Sequence, residues 1–259
     1  MIELSGTTRK QTDFMGGFAK GLAVIEVFTA ERPRLSIADV AAGTGLDRAT
    51  ARRCLLTLSD LGYASYDGKF FSLTPRVLRL GTSCLATMPL PRIVQPLLDE
   101  LSQSIGQSTS VSVLDDWEIV YVARAAQRRV MSINLMPGSR LPAYCASMGR
   151  VLLAGQSDEA VRDILKRHPP VRHTEHTLTS ASAILERITA ARREGFAISD
   201  QEIEIGLRSI AVPIYDSRDR VVAAINVGVA AVHKQANELK TLYYPRLIAV
   251  QQAIKPLLV

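Results

Sequence analysis

A chain of 259 residues, 47% of them hydrophobic, is long enough for two folded domains, which excludes a disordered or fibrous protein. The formal net charge of +6 favours anionic partners, and residues 1–83 carry half of the excess, with 11 Lys and Arg against 8 Asp and Glu. Three widely spaced cysteines argue against a disulfide framework and favour the reducing cytoplasm. No signal segment is visible, and no apolar run approaches the ~20 residues of a membrane helix, so we expect no membrane partner.

Residues 37–58, IADVAAGTGLDRATARRCLLTL, predict two helices joined by a short turn, as in a helix-turn-helix. Ser36 and Asp47 stand where they can cap these helices. In the second helix, helical spacing predicts a buried stripe of Ala51, Cys54, Leu55 and Leu58. The opposite face is predicted to expose Arg48, Thr50, Arg52 and Arg53. These four residues are candidate DNA contacts, because a recognition helix presents its first turns to bases and phosphates; the alternative is a solvated charged face.

Residues 63–73, YASYDGKFFSL, predict a β-hairpin around Asp67-Gly68, which in this position is the wing of a winged helix-turn-helix. Lys69, near the tip, is a candidate phosphate contact, with a merely solvated lysine as the alternative. The apolar spacing of residues 18–28 predicts the helix that braces the motif. The sequence therefore predicts a DNA-binding domain over residues 14–75.

A helical linker is predicted over residues 76–91, started by Pro75 and ended by Pro89 and Pro91. Its apolar seam suits dimerisation, and paired DNA readers would recognise two half-sites. The remaining residues, 92–259, begin with another amphipathic helix.

From Gln107 onward the apolar period changes from helical to alternating. Residues 109–125 predict a strand, an acidic turn and a second strand, 130–135 (VMSINL) a third, and 208–230 two more before a final helix at 237–258. We therefore expect an antiparallel α+β domain of a size that holds a small molecule.

Between these strands, GSRLPAYCASMGRVLLAG runs from a loop into a short helix that begins near Ser147. Its first backbone N–H groups, those of residues 147–149, would form a seat for a carboxylate; a plain N-cap at Ser147 is the alternative. Arg124 or Arg208 could add a bidentate contact, although an arginine at a strand end is more often in an exposed ion pair.

Two further patterns are discounted. His168, His173 and His176 lie in a polar loop without the spacing of a metal site, so neither a metal nor a cofactor is expected. Cys145 has no histidine placed near it by any motif, so a small buried residue is favoured over a nucleophile.

From Gly17 to its end the chain resembles the IclR family of bacterial transcriptional regulators. The resemblance rests on the winged helix, on LTPRVLRLG, on GSRLPAYCASMGRVLLAG, and on GFAISDQEIEIGLRSIAVPIYD followed by AAINVG. YVARAAQRRVMSINL followed by RLPAYCASMGRVLLA is most similar to the branch with the Pca and Pob regulators of aromatic-acid catabolism.

This resemblance implies a two-domain α/β protein: an N-terminal winged helix-turn-helix, a helical linker and a C-terminal α+β, GAF-like effector-binding domain, assembled as a homodimer or homotetramer. The implied effector is a small aromatic or keto carboxylic acid, such as protocatechuate, 4-hydroxybenzoate or β-ketoadipate. Carried over from the family, the effector residues are Ser147, Met148, Gly149, Ser199, Asp200, Ser209, Asn226 and Gly228. Some family members have cysteine in place of Ser209 and serines in place of Asn226 and Gly228.

The sequence thus predicts a ligand-responsive transcriptional regulator whose partners are double-stranded operator DNA, a small carboxylate and RNA polymerase. Two hypotheses from other classes stay open at this point. One is a small-molecule-processing enzyme with a helical oligomerisation domain, and the other is an architectural DNA-binding protein.

Overall fold

The computed structural model describes residues 14–29, 31–127 and 135–258. The chain divides into two compact units, one ending at Cys84 and the next beginning at Leu85. This division falls inside the predicted linker. Within the described ranges, no helix is both long enough and apolar enough to cross a membrane.

The first unit is a winged helix-turn-helix. Its elements are α1 (Gly16–Glu26), α2 (Ile37–Thr44), α3 (Arg48–Asp60), β1 (Ala64–Tyr66) and β2 (Phe71–Leu73), and α4 (Leu78–Thr87) then crosses the division. β1 and β2 pair as an antiparallel hairpin, and Leu35 bridges to Phe71. Val24, Leu55 and Phe71 are fully buried in the core that joins the helices to this hairpin.

The ends of α2 and α3 are fixed by local hydrogen bonds, as predicted. Ser36 caps α2 by accepting a bond from Asp39 N, while the Asp39 carboxylate accepts one from Ser36 N at 2.9 Å. Gly45, at φ +70°, ends α2 in the left-handed conformation that glycine tolerates. Asp47 caps α3 by accepting a bond from Thr50 N at 2.8 Å. These caps determine which residues occupy the first turn of α3.

The second unit has three layers, and the middle layer is a six-stranded antiparallel sheet. The strand order in this sheet is β5-β4-β3-β8-β7-β6. Its strands are β3 (Ser108–Asp115), β4 (Glu118–Ala125), β5 (Arg140–Pro142), β6 (Ala197–Asp200), β7 (Leu207–Tyr215) and β8 (Val221–Ala230). Its helices are α5 (Pro89–Ile105), α6 (Ser147–Ala154), α7 (Asp158–Arg167), α8 (Ala181–Glu194) and α9 (Ala236–Ile254). Helices α5 and α9 pack on one face of the sheet, and α6 packs on the other with α7 and α8.

The architecture confirms the predicted α+β effector domain, with differences in detail. Pro89 begins α5 rather than only ending the preceding helix, because proline fits the first helical position. The predicted strand 130–135 lies outside the described residues except for Leu135, and the short edge strand beside β4 is β5. Helices α7 and α8 and strand β6 are not among the elements predicted from the sequence.

Candidate functional site

The first candidate surface is the exposed face of α3. Arg48, Arg52 and Arg53 are exposed there, as predicted. Thr50 was expected on the same face, and this placement is wrong: Thr50 is buried, and its hydroxyl accepts a hydrogen bond from Arg53 Nη2 at 3.2 Å. The reason is helical spacing, since positions 50, 54 and 58 lie on one i, i+4 row that ends at buried Leu58. Thr50 therefore orients Arg53 instead of facing outward.

The wing adds a second cationic position. Lys69 is exposed in the turn between β1 and β2. Asp67 Oδ1 accepts hydrogen bonds from the backbone N–H groups of Phe70 at 2.8 Å and Lys69 at 3.0 Å. These bonds lower the pKa of Asp67 to about 2, so the carboxylate that shapes the turn stays ionised at neutral pH.

The second candidate site is a small cavity of about 30 Å³ between α6 and the sheet. It brings together six of the eight predicted effector residues: Ser147, Met148, Ser199, Ser209, Asn226 and Gly228. Leu135, Leu141, Ile203 and Leu207 supply apolar wall. The cavity is therefore polar where α6 meets the sheet and apolar elsewhere.

The beginning of α6 forms the polar wall. Its N-cap residue is Ala146, which has no side chain to cap the helix, so Ser147 is the first helical residue and not the N-cap. The Ser147 and Ser209 hydroxyls are hydrogen-bonded at 2.8 Å, and Ser199 donates to the Cys145 carbonyl at 2.7 Å. An uncapped helix start with hydroxyls beside it suits a negatively charged ligand group.

The structure does not bring Gly149 and Asp200 to the cavity wall. A Cβ on Gly149 would lie 2.2 Å from the Ala143 carbonyl oxygen, so this glycine allows α6 to pack on the preceding loop. Asp200 instead pairs with Arg208 Nε at 2.6 Å. Arg208 also donates hydrogen bonds to the carbonyls of Ala231 and Lys234. Its side chain therefore stabilises these chain segments and does not line the cavity.

Arg124 also lines the cavity, although it is not one of the eight predicted effector residues. Its Nη1 donates to Ser110 Oγ at 2.9 Å, and no carboxylate lies within ion-pair distance of it in the described part of the chain. Burial lowers the pKa of this guanidinium, the direction expected for a cation withdrawn from water. Tyr121, also buried in the wall, was missed, because a strand tyrosine is indistinguishable from core in the sequence.

Asn226 presents an unmatched acceptor to the same cavity. The residue is 8% exposed, and its Oδ1 has no hydrogen-bond partner within the described residues. An unsatisfied buried acceptor costs about 1–3 kcal/mol, so a ligand that donates a hydrogen bond here would recover that energy.

A buried ion pair holds α6 against its neighbours. Arg150 is 2% exposed and contacts both carboxylate oxygens of Glu202, at 2.6 and 2.7 Å. Arg150 Nε also donates to the Tyr144 carbonyl at 3.0 Å, just before the cavity segment, and Glu202 accepts a bond from Leu178 N. One pair thus fixes three chain segments around the cavity.

The discounted groups have ordinary structural roles. His168 pairs with Asp116 at 3.2 Å and stacks on Trp117. Burial raises the pKa of Cys145 to about 12, so its thiol stays protonated and is a poor nucleophile. The described residues contain no group of three His, Cys, Asp or Glu side chains that could hold a metal ion.

Comparison with known protein families identifies the family that combines these two domains. Residues 18–68 match the IclR helix-turn-helix domain, and residues 82–255 match the bacterial transcriptional regulator IclR C-terminal domain. The chain belongs to the IclR family. The resemblance proposed from the sequence motifs is thereby confirmed, and the helix-turn-helix assigns DNA binding to this IclR regulator.

Individual relatives place the protein further within the IclR family. The Pca regulon regulatory protein of Pseudomonas putida is 42% identical over 93% of this chain and 83% of its own length. The p-hydroxybenzoate hydroxylase transcriptional activator of Acinetobacter baylyi is 37% identical over 83% of this chain and 81% of its own length. The inducer-binding domain of PobR from Acinetobacter, solved as a double mutant with 3-hydroxybenzoic acid, is 30% identical with a TM-score of 0.62, covering 65% of this chain and 98% of that one. These relatives are regulators of transcription, and the enzyme hypothesis has no support among them.

Proposed function

We propose that this IclR regulator controls genes of aromatic-acid catabolism, binds operator DNA through α3 and the wing, and responds to a small carboxylic acid held in the cavity. The observation that carries the proposal is Arg124, a partly buried cation that faces the cavity without a carboxylate partner in the described part of the chain. The names of the Pca regulon and p-hydroxybenzoate hydroxylase relatives support the pathway.

The cavity offers a carboxylate charge-assisted hydrogen bonds. Arg124 is a forked donor, and Ser147, Ser209 and the uncapped start of α6 supply neutral donors nearby. Buried charges are stable only when paired, so an anion beside Arg124 compensates both charges at once. The apolar wall suits an aromatic ring or a short carbon chain.

The size of the cavity links binding to regulation. A space of about 30 Å³ holds roughly one water molecule, whereas a protein cavity that binds benzene measures about 150 Å³. An aromatic acid therefore enters only if part of the wall moves. A ligand that binds the opened form more tightly than the closed form shifts the population toward it, which is how an effector changes DNA affinity.

Replacing Arg124 by glutamine is expected to weaken binding of 4-hydroxybenzoate or protocatechuate roughly 10- to 100-fold. A hydrogen bond to a charged group contributes about 1.5–3 kcal/mol, and glutamine removes the charge while keeping a donor. Thermal-shift titration of the full chain measures the change. Arg140→Gln, in an exposed ion pair at the edge of the same sheet, is the matched control, and equal affinities of the two variants would contradict the assignment.

On the DNA side, Arg48, Arg52, Arg53 and Lys69 are the proposed contacts. Replacing Arg52 by alanine is expected to weaken binding of a selected operator roughly 5- to 100-fold, the range for losing one base or phosphate contact. Fluorescence anisotropy with a duplex recovered by selection from random DNA measures it. Arg162→Ala, which removes the same charge from α7, should bind as tightly as the wild type; an unchanged affinity for Arg52→Ala would remove this residue from the interface.

The proposed function as a whole is tested by combining both partners. Adding an acid that stabilises the protein to a complex with selected operator DNA should change the DNA dissociation constant. If an acid stabilises the protein but leaves the dissociation constant for operator DNA unchanged, the proposed coupling between the cavity and the winged helix is refuted.

We also propose that the regulator works as a homodimer or homotetramer in the cytoplasm. A groove of about 520 Å³ on the first unit is lined by α1, α3 and the start of α4. Phe18, Leu22, Leu61 and Leu80 stand exposed around it. A contiguous apolar patch of this kind is typical of a protein interface, and a second copy of the chain would cover it.

A further inference from the structure

One cation near the wing, Arg34, lies outside both the helix-turn-helix and the hairpin. Arg34 directly precedes Leu35, which exchanges two backbone hydrogen bonds with Phe71, at 3.0 and 2.8 Å. These bonds form an isolated antiparallel bridge between Leu35 and β2. Arg34 is therefore anchored to the wing through its backbone neighbour.

The side chain of Arg34 extends over the wing. It forms an ion pair with Asp67 in the turn, and its guanidinium lies 5.2 Å from the centre of the Phe70 ring. Lys69 Nζ lies 5.0 Å from the centre of the same ring. Both cations are thus placed by one aromatic side chain, while Arg34 remains 59% exposed.

We propose that Arg34 is a second phosphate contact of the wing, acting beside Lys69. The ion pair uses only one terminal nitrogen of Arg34, and a guanidinium has five N–H donors. The carboxylate can therefore hold the side chain in place while the remaining N–H groups bind a phosphate oxygen. This inference rests on the DNA-binding function of the family, and it assigns a contact outside the recognition helix.

A plain surface ion pair is the competing explanation, in which Arg34 only neutralises Asp67. The two explanations differ in the double variant Arg34→Ala with Asp67→Asn, which has the same net charge as the wild type. The asparagine oxygen can still accept the bonds from Lys69 N and Phe70 N, so the turn is kept. If neutralisation is the only role, the double variant binds DNA like the wild type.

The experiment measures binding of the full chain to a random-sequence duplex between ~50 and ~200 mM salt, since phosphate contacts are independent of sequence. Each lost contact reduces the slope of log K against log salt by about 0.9. We expect this reduction for Arg34→Ala, for Lys69→Ala and for the double variant, and none for Arg162→Ala. Circular dichroism confirms folding, which an exposed pair affects little.

Wild-type slope and affinity in the double variant would overturn the proposal, as would an unchanged slope in Arg34→Ala. Absence of salt-dependent binding by the wild type would be a different failure, because it would refute DNA binding itself.

Discussion

Replacing Arg150 by methionine is expected to lower the free energy of unfolding of the second unit by about 3–5 kcal/mol. Methionine fills a similar volume but leaves the Glu202 carboxylate buried without its partner, and a broken buried pair costs about this much. The substitution also removes the donors to the Tyr144 and Ile198 carbonyls. The loss corresponds to roughly 6–20 °C in Tm for a unit of this size.

Urea unfolding followed by tryptophan fluorescence measures this loss, because the chain has a single tryptophan and Trp117 lies in the β3–β4 turn of the second unit. Arg192→Met is the matched control: Arg192 makes three hydrogen bonds on the surface, and its loss should cost no more than about 1 kcal/mol. If Arg150→Met were as stable as this control, the buried ion pair would not be what holds α6 against the chain segments around it.

A second variant separates charge burial from packing. Arg150→Met combined with Glu202→Met leaves no unpaired charge, so part of the lost stability should return. The return should be incomplete because Leu178 N and the carbonyls that Arg150 served lose their partners. Stability of the double variant below that of Arg150→Met would contradict this account.

The winged helix could be predicted in detail because its determinants are local. Ser36, Asp47 and Gly45 act within a few residues of their own positions, and the Asp67-Gly68 turn sets the hairpin. Thr50 shows where prediction from local sequence patterns fails. Its burial follows from its position on the i, i+4 row with Cys54 and Leu58, and the prediction gave its polar hydroxyl more weight than this spacing.

The prediction of the residues around the cavity depended more on the family resemblance than on the residues themselves. Ser209 and Ser147 are 62 residues apart, and only the sheet brings their hydroxyls to 2.8 Å. Only the structure can show whether Arg124 or Arg208 is available to bind a ligand, because this depends on which arginine already forms an ion pair with a carboxylate. Asp200 pairs with Arg208, whereas within the described residues the Arg124 side chain hydrogen-bonds to the hydroxyl of Ser110 and has no carboxylate partner.

Two glycines taken from the family pattern as effector residues are expected to respond oppositely to alanine. Gly149→Ala places a methyl group 2.2–2.6 Å from three backbone atoms of Ala143, which cannot turn aside as a flexible side chain could. We expect a loss near the upper end of the ~1–3 kcal/mol that overpacking costs. Gly228→Ala meets nothing within 4 Å and has no unusual φ, so stability should change by less than about 0.5 kcal/mol.

The response to ligand should also differ between the two variants, and here Gly228→Ala is expected to show the larger effect. Gly228 lines the cavity on the strand between Ser108 and Ser209, so its new methyl group occupies space that a ligand ring needs. Gly228→Ala should therefore reduce the thermal shift with 4-hydroxybenzoate while unfolding like the wild type without it. Because Gly149 faces the Ala143 backbone, its variant should unfold earlier with or without ligand. Equal unfolding temperatures for the two ligand-free variants would show that α6 is not tightly packed on the loop before it. The proposed carboxylate seat at the start of α6 would then lose its structural support.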